Sequence, residues 1–434
     1  MFGSVATSTH SIDDYIPIVG DAAVAALREL AEPLHGIRVL HLSSPGASGA
    51  VRNLLQSSVP LQADLGIEAQ WQQVRVSSEF QEMDHQLRLA LSGYAVDWPA
   101  KLASVWWAFN ESNAGLFDQD FDIVIVHHTG SVGLHAALTQ MTGRRPAGVW
   151  LWDSHRDYRG AHPDAWSLIR RHADDFDASV YDYKPFIRPD APTRRKVVIP
   201  PGVDPLGPRS RQVSEEVRET ILAQRGVDVT RPMVAQIVLS TRDDNPLRIL
   251  ETYELVKRRR PDLQLVVADL ISGPEQGRSV EALRVRARKI GDVVVLGEMD
   301  GVGNVEVCAV RDQAAVLLHQ GLPRGISIEL LEEMWQSKPV VSATSSVAEA
   351  VLTQHRTGIL ADTPAEQATA VLRLLESPAV RRRIGAAAHR RIAQHYLVTR
   401  YLADYLKLFQ QVLHRTPARR TAQRPAPRDR RAER

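Results

Sequence analysis

The 434-residue chain is 44% apolar and 24% charged, the proportions of a globular protein, and its length suits two domains of roughly 200 residues each better than one. Its lone cysteine, Cys308, excludes an internal disulfide framework and a cysteine-built zinc cluster, and no run of about 18 or more apolar residues offers a membrane span. The formal charge of +2 is a poor guide to the surface, because residues 415–434 alone carry +6 and leave −4 on the other 414 residues.

The opening stretch, MFGSVATSTHSIDDYIPIVGD, lacks the basic-then-apolar pattern of a secretory leader, so residues 1–35 read as an N-terminal extension of a cytoplasmic protein. Residues 37–42 (IRVLHL) read as a buried strand. A loop of small residues at 43–49 (SSPGASG) leads into helical spacing over 50–64. Further strands are predicted at 121–126, 147–152, 178–181 and 197–199. Short apolar runs separated by helical segments predict a parallel sheet with helices on both faces. Residues 200–208 (PPGVDPLGP), with four prolines and two glycines, read as a linker.

A second alternating series follows, with strands at 233–239, 263–268, 293–296, 314–318 and 339–342 and helices at 246–259, 280–290 and 328–336. The predicted fold is α/β: two Rossmann-like doubly wound domains, 36–205 and 206–390, facing a central cleft at the carboxyl ends of their strands. The tail at 415–434 has eight arginines against Asp429 and Glu433 and no large apolar residue, so it is expected to be disordered. It is either a solvated tail or a weak, salt-sensitive contact for a polyanion; no other nucleic-acid partner is expected.

Two strand ends carry chemistry. After the WLW strand, Asp153, Ser154, His155, Arg156 and Asp157 cluster where a cleft is expected, and His127 and His128 end another strand. No pair of histidines has HExxH or other compact ligand spacing, so no metal site is expected. Leu330, Leu331, Met334 and Trp335 read as the core face of a helix.

Several segments, in order, resemble one family. They are VPLQADLGIEAQW (59–71), IVIVHH (123–128), WLWDSHRDY (150–158), VVIPPGVDPLGP (197–208), DNPLRILETYELVKRRRPDLQLVVA (244–268), LPRGISIELLEEMWQSKPVV (322–341) and HYLVTRYLADYL (395–406). Together they resemble the trehalose-synthase group of retaining GT-B glycosyltransferases (glycosyltransferase family 4-like) over residues 39–408. The resemblance implies transfer of a glycosyl or cyclitol unit from an activated, nucleotide-linked donor to a small sugar-like acceptor, with no cofactor beyond that co-substrate. It implies closing helices over 391–414 that cross back to the first domain, and it leaves room for a homodimer. In such enzymes no protein nucleophile is needed; the departing diphosphate helps to deprotonate the acceptor, and the protein stabilises its charge.

Carried over by position, the resemblance implies that Glu332 binds the donor ribose, within a donor segment that includes Gly325, Ile326 and Ser327. Arg324 stands where the family has a sugar-binding glutamate. Leu239 and Asp244 stand where it has two cations facing the diphosphate, with Arg242 at a less central basic position. Three units of charge are thereby altered, each pair worth roughly 4 kcal/mol at about 4 Å and an effective dielectric near 20. Arg324 either binds an anionic group or pairs with Asp244. His155 and Asp157 are implied beside the transferred sugar, with Arg242 as a third catalytic candidate, and Ser48, Gly49, Arg52 and His128 on the acceptor side. Glycines expected at 345–346 and 269–271 are replaced by Ser345-Ser346 and Asp269-Leu270-Ile271, which limits close backbone approach. The alternative to an enzyme is a pseudo-glycosyltransferase that acts in non-glycosidic coupling, in binding or as a partner subunit.

Overall fold

Apolar residues alternate to the two sides of each central strand, and this fixes the layering of the first domain. Its strands are β1 (Gly3–Ser4), β2 (Arg38–Ser43), β3 (Glu68–Gln73), β4 (Ile123–Val126), β5 (Val149–Ser154), β6 (Ala178–Tyr181) and β7 (Lys196–Val198). They form one sheet in the order β1-β3-β2-β4-β5-β6-β7, parallel throughout except for β1 against β3. The structure is a computed structural model that describes residues 2–5, 10–45, 49–238, 247–269, 274–297, 301–320, 325 and 327–414.

Val39, Ile123, Ile125, Val149 and Leu151 face one layer, packed by α1 (Ile16–Val19), α2 (Asp21–Ala31), α3 (Gly49–Asp64) and the C-terminal helix. Leu40, Leu42, Val124, Val126, Trp150 and Trp152 face the other, under α4 (Ser78–Leu91), α5 (Leu102–Ala114), α6 (Leu134–Thr142) and α7 (Pro163–Ala173). This two-faced burial explains why the strands read as predominantly apolar runs rather than as apolar–polar alternation.

The second domain opens with α8 (Glu215–Gln224). It continues through β8 (Met233–Val238), α9 (Arg248–Lys257), β9 (Gln264–Asp269), α10 (Pro274–Ile290), β10 (Val293–Gly297) and α11 (Asn304–Gln313). Then come β11 (Val316–His319), α12 (Ile328–Trp335), β12 (Val340–Ser342), α13 (Ser346–Val351), β13 (Ile359–Leu360), α14 (Pro364–Glu376), α15 (Pro378–His395) and α16 (Val398–His414). Its sheet is parallel in the order β10-β9-β8-β11-β12-β13. Strand order reverses between β8 and β11 here, and between β2 and β4 in the first domain, which sets a crevice at the carboxyl edge of each sheet.

The structure adds detail at both ends. Within the expected N-terminal extension, Ile12, Tyr15, Val24, Leu27, Ala31 and Leu34 lie in the first domain's core. α15 continues to His395, so the chain crosses back at Tyr396 and Leu397, after which Val398, Leu402, Tyr405, Leu406 and Phe409 of α16 fill the same core. That crossing runs beside the linker: Val203 N–H donates to Tyr396 O (2.7 Å), and Val398 N–H donates to Val203 O (2.8 Å). Any Cβ on Gly202 would come within 2.7 Å of the Val398 backbone, so a side chain there would force the two crossings apart. No described helix is long and apolar enough to cross a membrane.

Candidate active site

The carboxyl ends of β2, β4, β5 and β6 bring polar side chains from four separate segments into one buried row. His41 Nε2 meets Gln62 Oε1 of α3 at 3.1 Å, and His41 Nδ1 meets His127 Nε2 at 3.0 Å. His127 Nδ1 meets His155 Nε2 at 3.1 Å, and His155 Nδ1 meets Asp182 Oδ1 at 3.0 Å. Asp153 lies alongside, its Oδ2 at 3.1 Å from His127 Nδ1 and 3.3 Å from His155 Nε2, and it accepts a short hydrogen bond from Tyr405 of α16.

Burial alone would lower the His155 imidazole, but the Asp153 and Asp182 carboxylates outweigh it and hold it up to about 9. His41 has burial and the neighbouring His127 against it and falls to about 3; burial also lowers His127. Asp182 is pushed up by burial to about 6 despite His155. Burial raises Asp153 too, yet the charges of His155 and His127 prevail and keep it low.

These shifts set a stability profile. Below the ordinary imidazole value of 6.5 the unfolded chain takes up protons that folded His41 and His127 refuse, so stability falls on acidification toward pH 3. Asp182 offsets part of this between 3.8 and about 6, where only the folded carboxyl holds a proton. Above 6.5 the unfolded chain releases the proton that folded His155 keeps until about 9, so stability falls on that side as well. Denaturant unfolding across pH should peak near 6.5 and lose roughly 3 kcal/mol by pH 9. A flat profile from 6.5 to 9 would contradict the assignment of the charge to His155.

His127, Asp153 and His155 offer three ligand atoms close together, but their ring geometry does not suit a cation. The His127 and His155 rings are inclined by only 6°, with centroids 5.4 Å apart, a distance that their 3.1 Å contact and the two ring radii fill. The facing lone pairs therefore lie on the line of centres, and a cation at about 2.0–2.1 Å from both nitrogens would sit well off each.

The other expected residues fall around this row. His128 is held at 3.2 Å by Asp84, which also pairs with Arg88 at 3.1 Å, and at 2.9 Å by Ser131. Asp157 accepts from Arg159 (2.7 Å) and, across the interdomain cleft, from Ser346 of α13 (2.8 Å). That second bond gives the serine at this expected glycine position an interdomain contact. Gly49 and Arg52 begin α3, both exposed, with Arg52 Nη2 donating to Pro45 O at 3.1 Å. Ser48, Leu239, Arg242, Asp244, Arg324 and Ile326 lie outside the described residues.

Gly325 meets Arg156 in an isolated antiparallel bridge, so the start of the 325–335 segment abuts the backbone after His155. Ser327 caps α12, and Glu332 is 4% exposed rather than lying on a solvated face. Its Oε2 accepts from Arg209 Nε (3.1 Å) and Arg311 Nη2 (2.9 Å), both buried cations. Arg311 Nη1 also donates to Arg209 O at 2.7 Å, tying linker to helix. Glu332 and Arg209 line a cavity of about 340 Å³ bounded by Asn53, Gln56 and Ser57 of α3 and by the 202–210 linker.

Sequence reading missed His41, Gln62, Asp182, Tyr405, Arg209 and Arg311. A histidine inside the IRVLHL run and an aspartate directly after the ASVY strand were readable signals, since polar groups in buried strands need partners. Tyr405 and the two arginines carried none.

The model of the trehalose synthase N-terminal domain matches residues 41–188, and that of group 1 glycosyl transferases matches residues 234–377. A trehalose synthase of Pyrococcus horikoshii is 27% identical over 404 residues, covering 92% of this chain and 96% of the relative. One from Rubrobacter xylanophilus is 27% identical over 409 residues, covering 93% and 97%. Among solved structures, an alpha,alpha-trehalose 6-phosphate synthase from Burkholderia multivorans superposes with a TM-score of 0.68 at 14% identity, covering 87% of this chain and 99% of that one.

Proposed function

Because the chain belongs to the trehalose-synthase group of GT-B glycosyltransferases, we propose that it joins a glucose-like unit from a nucleotide-linked donor to a small sugar acceptor, with retention. The acceptor hydroxyl attacks the anomeric carbon on the face from which the diphosphate leaves. A new carbon–oxygen bond forms as the bond to phosphate breaks, and the hydroxyl proton passes to the departing phosphate oxygen. The observation that carries this reading is the Arg156–Gly325 bridge, which sets the backbone directly after His155 against the start of the segment that leads to Glu332.

In this reading Glu332 receives the donor ribose on Oε1, the oxygen neither arginine takes. The charged His155 ring stabilises negative charge on the leaving group, a preorganised cation being most useful where charge develops. Arg242 and Arg324 supplement it in place of the cations absent at Leu239 and Asp244, while His128, Gly49, Arg52 and Ser48 meet the acceptor. Asp157 holds the domains in register through Ser346. The reaction uses no bound cofactor and takes place in the cytoplasm.

Thermal melting with nucleoside diphosphates and nucleotide-glucose compounds tests donor binding without knowledge of the acceptor. A ligand at about one hundred times its Kd should stabilise the protein by about 2.7 kcal/mol and raise the melting temperature accordingly. Absence of any shift with the whole purine and pyrimidine set would remove the nucleotide-donor reading.

A further inference from the structure

We propose that Gln62, His41, His127, His155 and Asp182 form a hydrogen-bonded imidazole row holding one mobile excess proton, with His41 and His127 as positioning residues that keep His155 charged in the cleft. The role in transfer rests on the function proposed above; the row itself does not.

The geometry is that of a wire. The His41 and His127 rings are inclined by 12° with centroids 5.3 Å apart, and their nitrogens meet at 3.0 Å, so this contact lies along the line of centres just as the His127–His155 contact does. Each contact between rings needs one proton. Both ends of the row are oxygen acceptors, Gln62 Oε1 and Asp182 Oδ1, and each takes one more. Four hydrogen bonds along the row therefore require four protons, whereas three neutral imidazoles carry three; Asp153 Oδ2, 3.1 Å from His127 Nδ1 and 3.3 Å from His155 Nε2, shares the proton of that contact as a second acceptor.

The excess proton belongs to His155. Its ring lies between Asp153 Oδ2 and Asp182 Oδ1, and its side chain is 7% exposed, whereas His127 is fully enclosed. His41 and His127 then both carry their proton on Nε2. Transfer from His155 Nε2 to His127 Nδ1, with transfer from His127 Nε2 to His41 Nδ1, moves the charge two rings inward and leaves His155 neutral; only N–H bonds are made and broken. Among the described residues, the charged and titratable groups facing the row are Asp153 and Asp182 at the strand ends and Tyr401 and Tyr405 from α16, with Tyr158 and Tyr183 beside Asp182 and Arg400 behind them.

Protein labelled with 15N-histidine settles this by long-range proton–nitrogen correlation, with no substrate present. At neutral pH the row should give one ring protonated on both nitrogens and two rings protonated on Nε2 alone, assigned by their loss in His155→Gln, His127→Gln and His41→Gln. Three neutral rings, or a His41 or His127 proton on Nδ1, would overturn the proposal. Once turnover is measured, His41→Asn should move the alkaline limb of the pH profile of kcat down by about one unit, with KM unchanged; an unmoved limb would remove the positioning role. If the variant does not fold, the spectrum of the unaltered protein still decides, and it does so whether or not glycosyl transfer is found.

Discussion

Replacing His155 with Asn is expected to lower turnover by about 10²–10⁴-fold, the range for loss of a positioned acid–base or charge-stabilising group. The substitution removes the cation between Asp153 and Asp182 and leaves two buried carboxylates facing one another. Asp182 is already held up to about 6, so in the variant it should take up a proton near neutrality and limit the structural cost. The loss should therefore fall on kcat with the fold retained, checked by circular dichroism and by donor-induced stabilisation. Turnover within a few-fold of the parent would show that the row serves packing alone.

Glu332→Ala should act on stability as well as on binding. Glu332 is the partner through which both Arg209 and Arg311 are neutralised, and both guanidinium groups are buried. Breaking a buried ion pair from one side costs about 3–5 kcal/mol, because the remaining charge is stranded. The variant should unfold at markedly lower denaturant concentration and lose nucleotide-induced stabilisation. Removing Arg209 as well, as Met, should restore part of the stability but not the ligand response. Equal stability of parent and Glu332→Ala would contradict the ion-pair account.

The fold was legible where strands are buried on both faces. Residues 37–42, 121–126 and 147–152 read as strands because both helical layers demand apolar side chains from them. β3 escaped notice because it pairs with only two short residues of β1 on one side and buries Trp71 alone among Glu68, Gln70, Gln72 and Gln73. Within the site, His155, Asp157 and His128 could be found from the rule that strand carboxyl ends line the cleft. The partners that set their charge could not, since Tyr405 reaches Asp153 across 252 positions and Arg209 reaches Glu332 across 123. Such pairs follow from how α16 and the linker cross between domains, and no local periodicity encodes them. The altered charges at Leu239, Asp244 and Arg324 lie outside the described residues.

The most direct measurement is a product assay. The protein is incubated with each common nucleotide-glucose donor and with glucose or glucose 6-phosphate, and the anomeric configuration of any disaccharide is read by proton NMR. The account predicts a new glycosidic product with the donor's α configuration and one nucleoside diphosphate released per linkage, both lost in His155→Asn. Binding of donor without transfer to either acceptor, or a product of inverted configuration, would contradict it.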